Sequence, residues 1–412
     1  MKKITALLLA VLMVFSFAAC AADEGEEGQS AISGNPNKSA AGKLLFEKDI
    51  TVTQGRDAVL KFYGEPGALS KIEVTVNGEE QDALTVADAA KKVIGTEAAA
   101  KSSEDDFGFF IKDMNFDGYQ DFGVQAWEKE GTVPYYCWFW NVSEGNFAFS
   151  AELESPVFDA ANSKIYCNVT EDGDEYINVY SVSGGELTLA DGYSLSAAPQ
   201  FENDLSAYEQ YMNPADRDAY LILVNYENTL DENYVPDDLA DINNTRQDGR
   251  ATQQMRYVAA EALYALYMEL FSAGYTDVSV TSAYRSYEYQ SELFNSYINQ
   301  EIAANGYTEQ EAYDIVKTYS AVPGTSEHQT GLCCDMHNLG SADQAFAKED
   351  AYRWLSDNAW KFGFILRFPE NKEDITKITF EPWHYRFVGR YHAAKIHAMG
   401  LCLEEYVALI NK

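Results

Sequence analysis

Apolar and polar positions follow two different rhythms along this chain. From residue 45 to about 200 they alternate in short runs. Lys71-Ile72-Glu73-Val74-Thr75-Val76 is one such run, and its period of two predicts a strand with one buried face. Asn77-Gly78 follows it, a pair that tolerates the positive φ angles of a tight hairpin. Tyr135–Trp140 and Tyr176–Val182 have the same strand character, and one helix is expected over Val86–Val93. After about residue 205 the period lengthens. Met255–Ser272 has helical apolar spacing and stops at Gly274. Asp277–Ala283 is β-rich. Tyr287–Ala304 predicts a second helix, and Thr308 with Glu311 forms a capping box for a third. Asp350–Phe362 is a further helix closed by Gly363, and His392–Met399 and Glu404–Ile410 finish the chain. The expected architecture is a mainly β region over 45–204 followed by an α+β domain over 205–412.

The beginning of the chain has a different texture. Lys2 and Lys3 precede an apolar run from Ile4 to Phe17, which is short for a membrane span. The run ends in Phe17-Ala18-Ala19-Cys20, small residues before a cysteine, which resembles a bacterial lipoprotein signal. That resemblance implies a signal peptide over 1–20, lipidation of Cys20 and attachment to the outer face of the cell membrane. The other reading is an ordinary signal peptide cut near Ala19 or Ala22. Residues 21–44 are rich in Ala, Gly, Glu, Ser and Asn and read as a flexible tether.

Composition narrows the partners. The chain has 412 residues, 46% of them hydrophobic and 14% aromatic, enough for packed cores over most of its length. Its 65 acidic and 30 basic residues give a formal net charge of −35, which repels phosphates and excludes nucleic acid as a partner. Beyond Cys20 there are five cysteines, an odd number. Cys137 and Cys167 lie in strand-like runs and are a candidate pair; the alternative is buried free thiols.

All five histidines lie after residue 327. Two sit in suggestive contexts: Ser326-Glu327-His328-Gln329-Thr330-Gly331-Leu332-Cys333-Cys334-Asp335, and Glu381-Pro382-Trp383-His384-Tyr385-Arg386. Two imidazoles and a carboxylate suit zinc with a fourth position left open. Glu381, three residues from His384, suits a base that takes a proton from water. His392 and His397, five apart in an expected helix, read as surface residues, and Trp383 and Tyr385 as pocket walls.

These segments resemble the D-alanyl-D-alanine carboxypeptidases of the vancomycin-resistance VanY type, within the LAS metallopeptidases. The group's pattern is S-x-H-x-x-G-x-A-x-D followed by E-x-x-H, and both halves are present in order. Leu221-Ile222-Leu223-Val224-Asn225, Ser282-Ala283-Tyr284-Arg285-Ser286 with Gln290, Pro323-Gly324-Thr325 and Leu403-Glu404-Glu405-Tyr406 extend the resemblance over residues 215–412. It implies Zn2+ on His328, Asp335 and His384, with Glu381 as catalytic base. It implies that Arg285 engages substrate or the developing oxyanion, and that Gln290 and Ser326 line the pocket. The implied substrate is a peptidoglycan stem peptide losing its terminal D-alanine. An L,D-carboxypeptidase on tetrapeptide stems and a catalytically inactive wall-binding lipoprotein are the alternatives. The β region would then position the enzyme or bind a wall component.

One residue departs from the pattern: Cys333 stands where the family usually has alanine. On a strand, Cys333, Asp335 and His337 would share one face, so Cys333 or His337 could approach the metal. The simpler reading is that Cys333 fills an alanine-sized slot. In the β region, Asp113, Asn115, Asp117 and Asp121 in Asp113-Met114-Asn115-Phe116-Asp117-Gly118-Tyr119-Gln120-Asp121 are spaced like a Ca2+ loop. Position twelve is Val124 rather than glutamate, and a hairpin turn without an ion is the competing expectation.

Overall fold

The computed structural model describes residues 42–65, 68–85, 108–125, 134–183, 186–195 and 197–410. The expected signal peptide, Cys20, the tether up to residue 41 and the helix over Val86–Val93 lie outside the described residues.

The β region consists of three antiparallel sheets. The first runs through Lys43–Thr53, Arg56–Glu65 and Ala68–Val76, with two short strands beside the last of these. Asn77 and Gly78 take φ angles of 50° and 85°, the hairpin conformation their side chains allow. The second sheet orders Phe110–Lys112, Asp121–Gln125, Pro134–Asn141 and Asn146–Glu154; the third orders Pro156–Asp159, Lys164–Glu171, Asp174–Ser183 and Glu186–Ser194.

Pro134–Asn141 explains why a nearly unbroken apolar run can be a strand. Tyr136, Trp138 and Trp140 enter one core with Ile50, Leu60, Phe62, Ile72 and Phe122. The alternate residues Cys137 and Phe139 enter another with Met114, Leu153, Ile165 and Cys167. Both faces are covered, so the period of two carries no polar side. Cys137 and Cys167 share that second core as free thiols, so the candidate disulfide is not formed.

In the C-terminal part a four-stranded antiparallel sheet carries the fold: β1 (Ser279–Ser282), β2 (Cys333–His337), β3 (Phe364–Leu366) and β4 (His384–Phe387), in the order β1-β2-β4-β3. Among the described residues, the helices of eight residues or more around it are α1 (Tyr257–Ser272), α2 (Tyr287–Asn305), α3 (Glu309–Val316), α4 (Asp350–Asn358), α5 (Arg390–Met399) and α6 (Leu403–Ile410). Helix α1 buries Ala259, Ala262, Leu263, Leu266 and Leu270 against Val280, Cys334, Met336 and Tyr385 of the sheet. Fully burying side chains of leucine size is worth about 1.5–3 kcal/mol each. The capping box at Thr308 forms as expected: its hydroxyl accepts from the Glu311 amide and the Glu311 carboxylate accepts from the Thr308 amide.

Two expectations about side chains are corrected. His392 is not at the surface. It is buried between the Tyr406 hydroxyl at 2.8 Å and the Asp218 carboxylate at 3.0 Å, because α6 packs over the face of α5 that carries it. Tyr385 is no pocket wall. It is fully buried in the core beneath the sheet, since its neighbours His384 and Arg386 take the opposite face.

A candidate metal centre between two sheet strands and a helical turn

Asp335 and His384 are direct cross-strand neighbours in the β2–β4 register, which puts their side chains on one face. His328 reaches the same point from a short 3-10 turn, Glu327–Thr330, that ends at Gly331 with φ +66°. A Cβ at Gly331 would meet Leu239 and the Arg256 backbone at 3.0–3.3 Å, so both the positive φ and the close packing call for glycine.

Hydrogen bonds decide which ring nitrogen of each imidazole faces inward. His328 Nδ1 donates to the Ala283 carbonyl at 2.6 Å, leaving the Nε2 lone pair free. His384 Nε2 donates to Glu327 Oε1 at 2.9 Å, leaving Nδ1 free. The two free nitrogens lie 3.5 Å and 3.2 Å from Asp335 Oδ1. His328 Nε2 and Asp335 Oδ1 are buried without a hydrogen-bond partner. Orphaned, convergent, electron-rich atoms of this kind cost free energy unless a cation joins them. The donor set therefore fits a zinc ion. Glu381 Oε2 stands 3.4 Å from His384 Nδ1, beside the centre.

The electrostatics depend on a second layer that the motifs did not reveal. Glu327, which orients His384, receives Arg367 Nε at 2.8 Å and Arg386 Nη1 at 3.0 Å. All three side chains are essentially inaccessible. Burial pushes the Glu327 carboxyl up, but the two guanidiniums outweigh it and hold the group well below the usual carboxylate range. Arg367 also grips Glu404 of α6, with contacts of 2.9 Å and 2.6 Å. Arg386 donates to the carbonyls of Tyr220 and Ile222, at 3.0 Å and 2.7 Å. The network thus ties the 220–225 segment, the sheet and α6 to one ligand. Its signal in the sequence is faint: an arginine closing the apolar run Phe364-Ile365-Leu366-Arg367.

Arg285 follows β1. Its Nη2 lies 3.4 Å from Asp335 Oδ2, and its Nη1 donates to Gln290 Oε1 at 2.8 Å. Gln290 is buried and donates on to the Ala321 carbonyl at 2.7 Å. It therefore sits behind Arg285 as a positioning residue, instead of lining the pocket as expected. Ser326 does line a cavity of about 780 Å³, together with His328, Asp335, His384, Glu381, Arg285 and Trp383. That volume is in the range of small-ligand sites.

Of the two residues weighed beside Asp335, His337 turns away. Its Nε2 meets the Thr281 hydroxyl at 3.2 Å and its Nδ1 meets Arg246 at 3.3 Å. Cys333 faces the centre: its Sγ and one ring nitrogen each of His328 and His384 lie within 4.8 Å of one another, and Asp335 Oδ1 stands 3.5 Å and 3.2 Å from the same two imidazoles. Burial pushes the Cys333 thiol up, and the two imidazoles outweigh this and bring it below its ordinary value.

In the Asp113–Asp121 loop the carboxylates accept from the loop's own amides. Asp113 accepts from the Asp117 and Gly118 amides, and Asp117 from the Tyr119 amide. Asp121 accepts from Met114, Asn115 and Trp140. Its oxygens brace a turn, and burial pushes the Asp121 carboxyl up to about 7 while these amides pull the other way.

A family model described as VanY, D-alanyl-D-alanine carboxypeptidase, matches residues 252–390. A Bacillus subtilis (strain 168) protein named as a carboxypeptidase, YodJ, is 36% identical over 222 residues, covering 53% of this chain and 77% of that protein. A solved LD-carboxypeptidase, LdcB, is 36% identical over 47% of this chain and 88% of its own, with a TM-score of 0.41. A vancomycin-resistance D,D-pentapeptidase, VanY, solved in complex with Zn(II), is 38% identical over 46% of this chain and 98% of its own, with a TM-score of 0.39. With the two motifs converging on one cavity, the family match and the extent of the B. subtilis likeness, the chain belongs to the VanY family of D-alanyl-D-alanine carboxypeptidases, peptide hydrolases that act on peptidoglycan.

Proposed function

We propose that this protein is a zinc-dependent D,D-carboxypeptidase that removes the terminal D-alanine from peptidoglycan stem peptides, working at the outer cell surface from a lipid anchor on Cys20. The observation that carries the reading is the convergence of His328 Nε2, Asp335 Oδ1 and His384 Nδ1, two of them buried and unpartnered, at the floor of a cavity that also holds Glu381. His328, Asp335 and His384 would hold the zinc ion, which supplies Lewis-acid polarisation of a carbonyl and a lowered pKa for water.

The chain's own residues carry the rest. Glu381 accepts the proton of the attacking water and returns it to the leaving amine. Arg285 presents its guanidinium to the substrate carboxylate or to the oxygen that becomes negative. Gln290 holds Arg285 in place through the 2.8 Å bond. Glu327 fixes the His384 ring so that Nδ1 faces inward.

The test is a digest of pentapeptide and tetrapeptide muropeptides side by side, read by mass spectrometry. Loss of one D-alanine from the pentapeptide is expected; cleavage of the tetrapeptide alone would reassign the enzyme as an L,D-carboxypeptidase. Glu381→Gln should retain the metal and lose about 10²–10⁴-fold in kcat. Full activity in that variant would remove Glu381 as the base. Cell fractionation and labelling with a palmitate analogue test the anchor: release of Cys20→Ala into the medium is the expected result.

A further inference from the structure

Cys333 faces the metal centre. On β2 it is two residues from Asp335, so both side chains project from the same face, whereas Cys334 points into the core with Tyr267 and Leu266. The Cys333 Sγ, a ring nitrogen of His328 and a ring nitrogen of His384 all lie within 4.8 Å of one another. Ligand atoms around tetrahedral zinc, with Zn–N near 2.0 Å and Zn–S near 2.3 Å, sit roughly 3.5 Å apart. Only small side-chain adjustments separate the two arrangements. Both imidazoles are already committed through their other nitrogen, to Ala283 and Glu327, which leaves His328 Nε2 and His384 Nδ1 as the free donors.

We propose that Cys333 is a fourth protein ligand, and that the centre can hold a soft divalent cation through two imidazoles, one carboxylate and one thiolate. This rests on the metal centre proposed above and adds a ligand to it. Three protein ligands leave a position for water or substrate, while four close the tetrahedron. A thiolate in the fourth position competes with the substrate carbonyl, and it shifts the metal preference toward thiophilic ions. The protein therefore has a ligand set that stores the metal and a ligand set that leaves a position open, exchanged by the Cys333 sulfur moving on or off.

Cobalt(II) reads the two sets separately. Metal-free full-length protein is titrated with Co2+ and followed by absorption. Visible d–d bands report Co2+ on the His and Asp ligands whatever Cys333 does; a near-ultraviolet thiolate-to-cobalt charge-transfer band reports the sulfur. The wild type should show both. Cys333→Ala should keep the visible bands and lose the near-ultraviolet band, Cys333→Ser should behave likewise, and Cys334→Ala should keep both. Visible bands without charge transfer in the wild type, or a charge-transfer band that survives in Cys333→Ala, overturns the thiolate ligand and leaves the His-Asp-His centre standing. No cobalt bands in any variant overturns the centre and the thiolate with it.

Discussion

Single residues at this site act through partners that are distant in sequence. His328, Asp335, His384 and Glu381 were legible because they fall in two short motifs whose internal spacing survives in the structure. Glu327 was not, although it lies inside the first motif. Its meaning comes from Arg367 and Arg386, 40 and 59 residues away, and from His384, 57 away, and no local pattern encodes those pairings. Gln290 was legible as a polar residue of the site but not in its role, since only the packing of α2 places it behind Arg285. Glu327→Gln keeps the shape and removes the charge that both guanidiniums face. Breaking one side of a buried ion cluster costs about 3–5 kcal/mol, so unfolding by denaturant should show a loss of that order. The same change weakens the acceptor for His384 Nε2–H, and Zn2+ affinity, measured by competition with a chelator, should fall roughly 10–100-fold. Metal affinity equal to the wild type would remove Glu327 from the support of the centre.

At the level of elements, the helices announced themselves, while of the sheet β1 did, inside the β-rich run Asp277–Ala283, and the strand pairing did not. The end of α1 at Gly274, the capping box of α3 and the stop at Gly363 are local chemistry, and the structure has each where it was expected. The strands β1 to β4 have three to five residues each and pair in the order β1-β2-β4-β3, with more than 40 residues between β2 and β4. Periodicity over so few residues cannot specify partners. The burial of His392 has the same origin, because it depends on α6 folding back over α5. Its surroundings make a pH prediction. Burial lowers the His392 pKa, with Lys395 adding to that and Asp218 opposing it. A base whose pKa is depressed in the folded state takes a proton more readily when unfolded. Its contribution is thus fully present above the ordinary imidazole value of about 6.5 and is lost as pH falls through that value. The unfolding free energy of the wild type minus that of His392→Gln should shrink as pH drops from about 7.5 to 5. A difference that stays flat or grows toward acid would show that the imidazole is not held neutral.

Across the whole molecule, the acidic surplus sets the response to salt. The described β region and the catalytic part meet through Tyr166, Ile177 and Val179 against Met399 of α5, a small apolar patch flanked by Glu175 and Arg217 at 3.3 Å. That patch was invisible in the sequence because its halves are over 200 residues apart. The formal charge of −35 makes both partners of this contact acidic on balance, so mutual repulsion opposes the compact state. The Glu327 cluster is shielded from solvent, and salt reaches it little. Surface repulsion, by contrast, is damped once the screening length falls from about 30 Å at 0.01 M salt to about 8 Å at 0.15 M. Moving between those two concentrations should therefore raise the melting midpoint, by roughly 1–2 °C if the relief is about 1 kcal/mol. Were ion pairs such as Arg217–Glu175 the dominant surface term, screening would weaken attraction instead, and the midpoint would fall. Calorimetry at the two concentrations distinguishes them by sign, and the excess of 35 negative charges predicts the rise.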